Sequence, residues 1–193
     1  MMRVETASRA PHARKHGTTF AETWTSADGA TIVAVGAVLA GGDPVVVSDL
    51  LRTGARALVT SRKTLANALS ALDRVVQKHA REHRDDELAA AIVLLAFAKE
   101  SHDVDAVGAG QLHAVLIDGS GAHHPVHGRG GALGTGIEPS DLLERLTLRR
   151  DDLLVAATMP LDPGWWSSGN RTADALLHRS DLHDAAVGVI AGE

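Results

Sequence analysis

The side chains here that could do chemistry are histidines, aspartates, a glycine-rich loop with an arginine, and a tryptophan pair. Cysteine is absent, which excludes thiolate nucleophiles, disulfides and cysteine zinc sites together. His79 and His83 stand at i and i+4, the spacing at which two imidazoles on one helix face meet a zinc ion. No third ligand accompanies them, and histidines at a helix end also complement the macrodipole, so a structural role is the reading taken. His123, His124 and His127 form a cluster. On a strand rising ~3.3 Å per residue, however, His123 and His127 share a face ~13 Å apart while His124 points the other way, so one metal cannot hold all three. The loop Gly128-Arg129-Gly130-Gly131-Ala132-Leu133-Gly134-Thr135-Gly136 could cradle an anion with Arg129 as its contact, but it does not lead from a strand into a helix as a phosphate loop does. Ser48, Ser120 and Ser180 lack the His/Asp pattern that activates a nucleophile. Trp165 and Trp166 are adjacent in a Pro/Gly/Ser loop, where internal packing accounts for one of them. An exposed Trp is a common interface anchor, so packing and partner contact both stay open.

The elements that must position these groups follow from the patterning. The segment to about Gly17 lacks periodicity and reads as a flexible arm or an edge strand (1–16), followed by a single domain over 17–193. Thr19 to Thr25, the turn Ser26-Ala27-Asp28-Gly29 and the β-branched run Thr31 to Val35 predict a hairpin whose second strand is buried on both faces. Asp43 and Pro44 suit the cap and first turn of a helix along Val47, Leu50, Leu51, Gly54 and Leu58. A second helix, capped by Ser61, carries Leu65, Leu69, Leu72, Val76 and His79. Leu88 to Ala98 is ambiguous between strand and helix by periodicity. Strands follow at Asp103 to Val107, Gln111 to Ile117, Ala122 to His127, Glu144 to Leu148 and Leu153 to Ala157, then a short helix at Thr172 to His178 and a strand at Ala185 to Ala191. Two helices inserted in a mostly antiparallel β sequence make an α+β sandwich.

Composition narrows the function classes. At 193 residues, 45% hydrophobic and 22% charged, the chain matches an ordinary globular domain. Nineteen basic against 24 acidic residues leave a formal charge of −5, so no basic face is available for nucleic acid. Three Trp and two Phe are too few for base-stacking platforms. The first residues lack the apolar stretch of a secretory signal, and Leu88 to Ala98 falls short of the ~20 residues that cross a bilayer. The expectation is a cytoplasmic protein that binds neither nucleic acid nor membrane.

The order of these elements resembles the metal-dependent protein serine/threonine phosphatases of type 2C, in their bacterial sporulation (stage II protein E) and stress-response branch. The likeness is carried by Val107-Gly108, the Leu112 to His127 hairpin, Gly131-Ala132-Leu133-Gly134, the acidic pair Asp151-Asp152 with Leu153-Leu154-Val155, and the closing Thr172 to Leu177 and Asp181 to Ile190. It implies an α-β-β-α sandwich, two mostly antiparallel sheets flanked by helices. It also implies two manganese or magnesium ions held by strand-end aspartates, with a bridging water that attacks a phosphoserine or phosphothreonine.

At the positions the resemblance assigns to metal ligands, this sequence carries other residues. The early acidic position falls at Thr18 or Thr19, the first aspartate-glycine at Ala37-Val38, the glycine-aspartate turn at Gly108-Ala109, and the later aspartate-glycine at Thr158-Met159. Asp184 alone matches a ligand position. Hard dications need several carboxylate oxygens, so the resemblance implies the fold and argues against the activity, with no cofactor expected. The leading expectation is a non-catalytic phosphatase-like protein that binds a protein partner, such as a phosphorylatable regulator of a bacterial stress or sigma-factor pathway, through Arg129, Trp165 and Trp166. The alternatives are a manganese- or magnesium-dependent phosphatase using Asp43, Asp162 or Asp184, and a scaffold or self-associating domain.

Overall fold

A computed structural model describes residues 2–9, 18–61, 64–126, 131–135, 144–159, 161, 172–179 and 184–192. Arg129, Asp162, Trp165, Trp166, His127 and Ser180 lie outside them. The described elements are β1 (Met2–Arg9), β2 (Thr19–Thr25), β3 (Thr31–Ala40), α1 (Pro44–Thr60), α2 (Leu65–His83), β4 (Ala89–Phe97), β5 (Asp103–Ala109), β6 (His113–Ile117), β7 (His123–Pro125), β8 (Glu144–Thr147), β9 (Leu153–Ala157), α3 (Ala173–Arg179) and β10 (Ala185–Gly192). They form two antiparallel five-stranded sheets, ordered β1-β10-β9-β6-β7 and β2-β3-β4-β5-β8. α1 and α2 cover the second sheet and α3 the first, which is the α-β-β-α sandwich.

Local chemistry explains most of the elements. The Ser26 to Ala30 turn closes with Ser26 N–H on the Ala30 carbonyl at 2.9 Å, and Gly29 supplies the positive φ of 84° that this tight connection needs. β2 and β3 then pair from Thr25 opposite Thr31 to Thr19 opposite Ala37. Asp43 caps α1, accepting from the Val45 and Val46 N–H groups at 2.9 and 3.4 Å, with Pro44 in the first turn. The cap expected of Ser61 belongs elsewhere. Ser61 ends α1, its hydroxyl donating to the Leu58 carbonyl at 2.7 Å, and Thr64 opens α2 by accepting from the Asn67 N–H. A three-residue separation hid this, because both hydroxyls precede the same apolar stripe.

The ambiguous apolar run is strand β4, at the centre of its sheet between β3 and β5. Its residues alternate between two cores. Ala90, Ile92 and Leu94 pack beneath α1 and α2, while Val93, Leu95 and Phe97 pack between the sheets. A strand sends successive side chains to opposite faces, so a continuous apolar run is what a strand with both faces covered requires. β3 is likewise buried on both faces but runs on to Ala40, past a register shift between Val38 and Ala40.

Between the sheets, Val33 and Val35 of β3 face β10 at Gly188. A Cβ added there would lie 2.7 Å from Val33 Cγ1 and 3.1 Å from Val35 Cγ2. Both valines are fully buried and stiff at χ1, so they have little room to yield. Gly188→Ala is expected to destabilise the fold by ~1–3 kcal/mol through overpacking. Equilibrium urea unfolding measures this, and an unchanged midpoint would mean that the sheets separate freely at this point.

Candidate functional site at the strand ends

Antiparallel pairing brings the starts of β2 and β10 and the ends of β3, β5 and β9 to one end of the sandwich. Thr19 lies opposite Ala37, and Ala37 opposite Ala91, while the next residue of β4, Ile92, pairs with Ala109. Thr158 follows the last residue of β9 and Asp184 precedes the first of β10. The expected positions therefore gather here, with two strands, β3 and β4, between Ala109 and Thr19.

The centre of this end is the Asp184 carboxylate, half-buried. Its Oδ2 accepts from the Thr18 N–H and the Thr18 hydroxyl, both at 2.6 Å. Its Oδ1 accepts from the Thr19 hydroxyl at 2.6 Å and the Thr19 N–H at 3.2 Å. Both oxygens thus take two protein donors. Thr158 is similarly engaged: its N–H donates to the Ala186 carbonyl at 3.1 Å and its hydroxyl oxygen accepts from the Ala186 N–H at 2.9 Å. This adds one rung to the β9–β10 ladder. The Val38 N–H donates to the Thr18 carbonyl at 3.0 Å, extending the β2–β3 ladder in the same way. Ala37, Ala109 and Met159 are buried, and Val38 is half-buried against the core beneath the helices.

The other carboxylates that the sequence brought forward serve as connectors. Asp43 is spent on the α1 cap. Asp152, 5% exposed, lies at the opposite end of β9 and accepts from the Gly119 N–H at 3.0 Å and the Arg149 N–H at 2.7 Å, tying the β6–β7 turn to the start of β9. Asp73 went unread in the sequence. Buried on α2, it accepts from the Gly134 N–H at 2.9 Å and from Gln77 Nε2 at 2.5 Å. That bond secures the segment whose Leu133 pairs with Ala90 through two backbone bonds of 2.8 and 3.0 Å. An aspartate directly after Leu72, inside an apolar stripe, was the available signal, since buried carboxylates need donors.

Among the described residues the two histidine groups serve separate local contacts. His79 and His83 stack with ring centroids 4.1 Å apart, and His83 Nδ1 lies 2.9 Å from the His79 carbonyl. His124 Nε2 lies 2.9 Å from Asp118 Oδ2. This contact, with donors from Ser120 and Ala122, holds the Asp118 carboxyl far below the usual carboxylate range. The Ser120 hydroxyl donates to Asp118 Oδ1, on the carboxylate that His124 also meets, and so gives its proton to the aspartate rather than to an imidazole base, while Ser48 is buried on α1. Among the described residues no group of three or more His, Asp or Glu converges on a metal position.

The family model for stage II sporulation protein E (SpoIIE) matches residues 28–159, more than half of the chain. The chain belongs to the SpoIIE family. Its fold is that of the type 2C (PP2C) serine phosphatases. The S. agalactiae serine/threonine phosphatase superposes with a TM-score of 0.81 at 12% identity over 100% of both chains. The PP2C phosphatase domain with a regulatory-domain fragment of SpoIIE from Bacillus subtilis gives 0.75 at 14% identity, over 99% of this chain and 61% of that one. The RsbU and RsbW domains of a Mycobacterium tuberculosis protein give 0.73 at 18% identity, over 98% of this chain and 61% of that one. This member of the SpoIIE family therefore spans about three fifths of the last two. No curated protein matches the sequence.

PP2C phosphatases work with magnesium or manganese, so the fit of a metal pair to this end can be tested on the donors present. Among the described residues, the positions offer methyl, isopropyl and hydroxyl groups and one carboxylate, whose oxygens already hold four protein donors. A pair of hard dications needs several carboxylates to offset its own repulsion. The described residues do not fit it.

Asp184→Ala leaves the Thr18 and Thr19 donors without their acceptor. The expected loss is about 2–3 kcal/mol of unfolding free energy, the scale of hydrogen bonds to a charged group, read by urea denaturation. A loss below about 0.5 kcal/mol, the size of an ordinary surface substitution, would mean that the clamp contributes nothing.

Proposed function

We propose that this chain is a non-catalytic member of its family that acts by binding a protein partner. The observation that carries this reading is the saturation of the Asp184 carboxylate by Thr18 and Thr19. Without a metal to polarise it, bulk water has a pKa of 15.7 and is a poor nucleophile towards a phosphate ester at neutral pH. What the fold then supplies is a shaped surface at the strand ends. The partner class is a phosphorylatable regulator in a bacterial stress or sigma-factor pathway. Support comes from the family and from the solved relative in which an RsbU domain shares a chain with an RsbW domain. Arg129, Trp165 and Trp166 are the proposed contacts. A cytoplasmic location belongs to the same reading, and among the described residues no helix is long and apolar enough to cross a membrane.

Purified protein with millimolar manganese is expected to hydrolyse p-nitrophenyl phosphate and a phosphoserine peptide at the rate of buffer alone. Its melting temperature is expected to be the same with and without the metal, because a ligand that binds only the native state raises it. Metal-dependent turnover that vanishes in Asp184→Asn would overturn the reading in favour of a phosphatase with unconventional ligands.

A further inference from the structure

At the end of the sandwich opposite Asp184, the helix layer stops short of the sheet. α1 ends at Thr60 and α2 begins at Leu65, whereas β4 continues to Phe97 and β5 begins at Asp103. The uncovered corner is a cavity of about 400 Å³, within the ~300–1,000 Å³ range of small-molecule sites. Its apolar surface comes from Ile32, Val59, Leu65 and Ala96. Its polar surface is built by cross-strand pairing: Asp103 opposite Thr147 and Asp105 opposite Arg145 on β5 and β8.

The charges in this cavity are unequal. Among its described lining residues are three carboxylates, Asp28, Asp103 and Asp105, against one guanidinium, Arg145. Arg145 is committed to Asp105 by two bonds, Nε to Oδ1 at 2.7 Å and Nη2 to Oδ2 at 3.1 Å, which makes that pair locally neutral. Asp103 accepts from the Thr147 hydroxyl at 2.6 Å through Oδ1. A hydroxyl donor orients a carboxylate without cancelling its charge. Arg145 also lies within electrostatic reach of Asp103, but one guanidinium against the two carboxylates leaves a net charge of −1. Asp103 therefore presents an anion beside an apolar floor, and the matching ligand is a cation on an apolar body.

We propose that this cavity is a binding site for a small organic monocation, an amidinium or ammonium group carried on an aromatic or aliphatic body, with Asp103 as the recognition group and Ile32, Val59, Leu65 and Ala96 as the seat of the body. The site is separate from the strand-end cleft and independent of whether the protein hydrolyses phosphate esters.

Benzamidine and its neutral isostere benzamide, titrated into the full chain and followed by amide and methyl NMR shifts, test it. Benzamidine is expected to give saturable shifts at Ile32, Val59 and Leu65, with benzamide at least about tenfold weaker, the scale of one charge-assisted hydrogen bond. Asp103→Asn keeps an acceptor for Thr147, so the variant is expected to fold with an unchanged melting temperature while its affinity for benzamidine falls to that for benzamide. Absence of saturable shifts at these residues, equal binding of the two probes, or a cation preference that survives in Asp103→Asn would each overturn the proposal. If Asp103→Asn melts differently, Arg145→Gln with Asp105→Asn, which removes the neutral pair and leaves Asp103 intact, is expected to retain the preference for benzamidine; its loss there would overturn the proposal equally.

Discussion

A carboxylate in a half-buried position needs its charge answered, and the strand-end region of this protein is organised around how that is done at Asp184. Of the two threonines that answer it, Thr19 begins β2, in one sheet, and Thr18 precedes it, while the aspartate precedes β10, in the other. The clamp is thus a short, charge-assisted link between the two layers of the sandwich. Charge-assisted bonds are roughly twice as strong as neutral ones, and four from adjacent residues fix both the depth and the direction at which β10 enters its sheet. From that entry follow the pairing of Val187 with Ala157 and the rung that Thr158 adds with Ala186.

The surroundings of the clamp are made of apolar and hydroxyl-bearing side chains. Carboxylates packed side by side repel one another and favour the ionised state only when cations stand between them. Here Ala37, Ala109 and Met159 are buried without any such demand, and the backbone ladders run on through Val38 and Thr158 to close the end. The buried carboxylates that the protein does use, Asp73 and Asp152, are set apart from this region, each satisfied by backbone N–H groups of a loop that it holds. Their role is that of rivets between segments distant in sequence.

The two ends of the sandwich are chemically unlike. At one, the half-buried Asp184 anion is held by four hydrogen bonds; at the other, the turns and the end of the helix layer leave apolar side chains beside carboxylates. Both arrangements arise from the same geometrical fact, that antiparallel strands deliver their ends alternately to opposite poles. Thr19 and Thr25, six apart on β2, thereby stand at opposite poles.

Much of this was legible in local sequence because it depends on local forces. The β2–β3 hairpin is written in Gly29 and the β-branched run after it, the start of α1 in Asp43-Pro44, and the helix faces in the spacing of their valines and leucines. That Ala37, Val38, Ala109 and Thr158 offer no anionic oxygen could also be read, because their side chains cannot supply one wherever they are placed. Other features belonged to tertiary structure alone. Leu88 to Ala98 is a strand only because two separate cores exist to receive its alternate residues, and Thr64 rather than Ser61 opens α2 because packing sets where the helix axis begins. Asp184 could be matched to a position from the sequence, but not to its partners 165 and 166 residues away. A hydrogen bond between residues so distant has no periodicity or spacing to announce it; it exists only once the two sheets have been brought face to face.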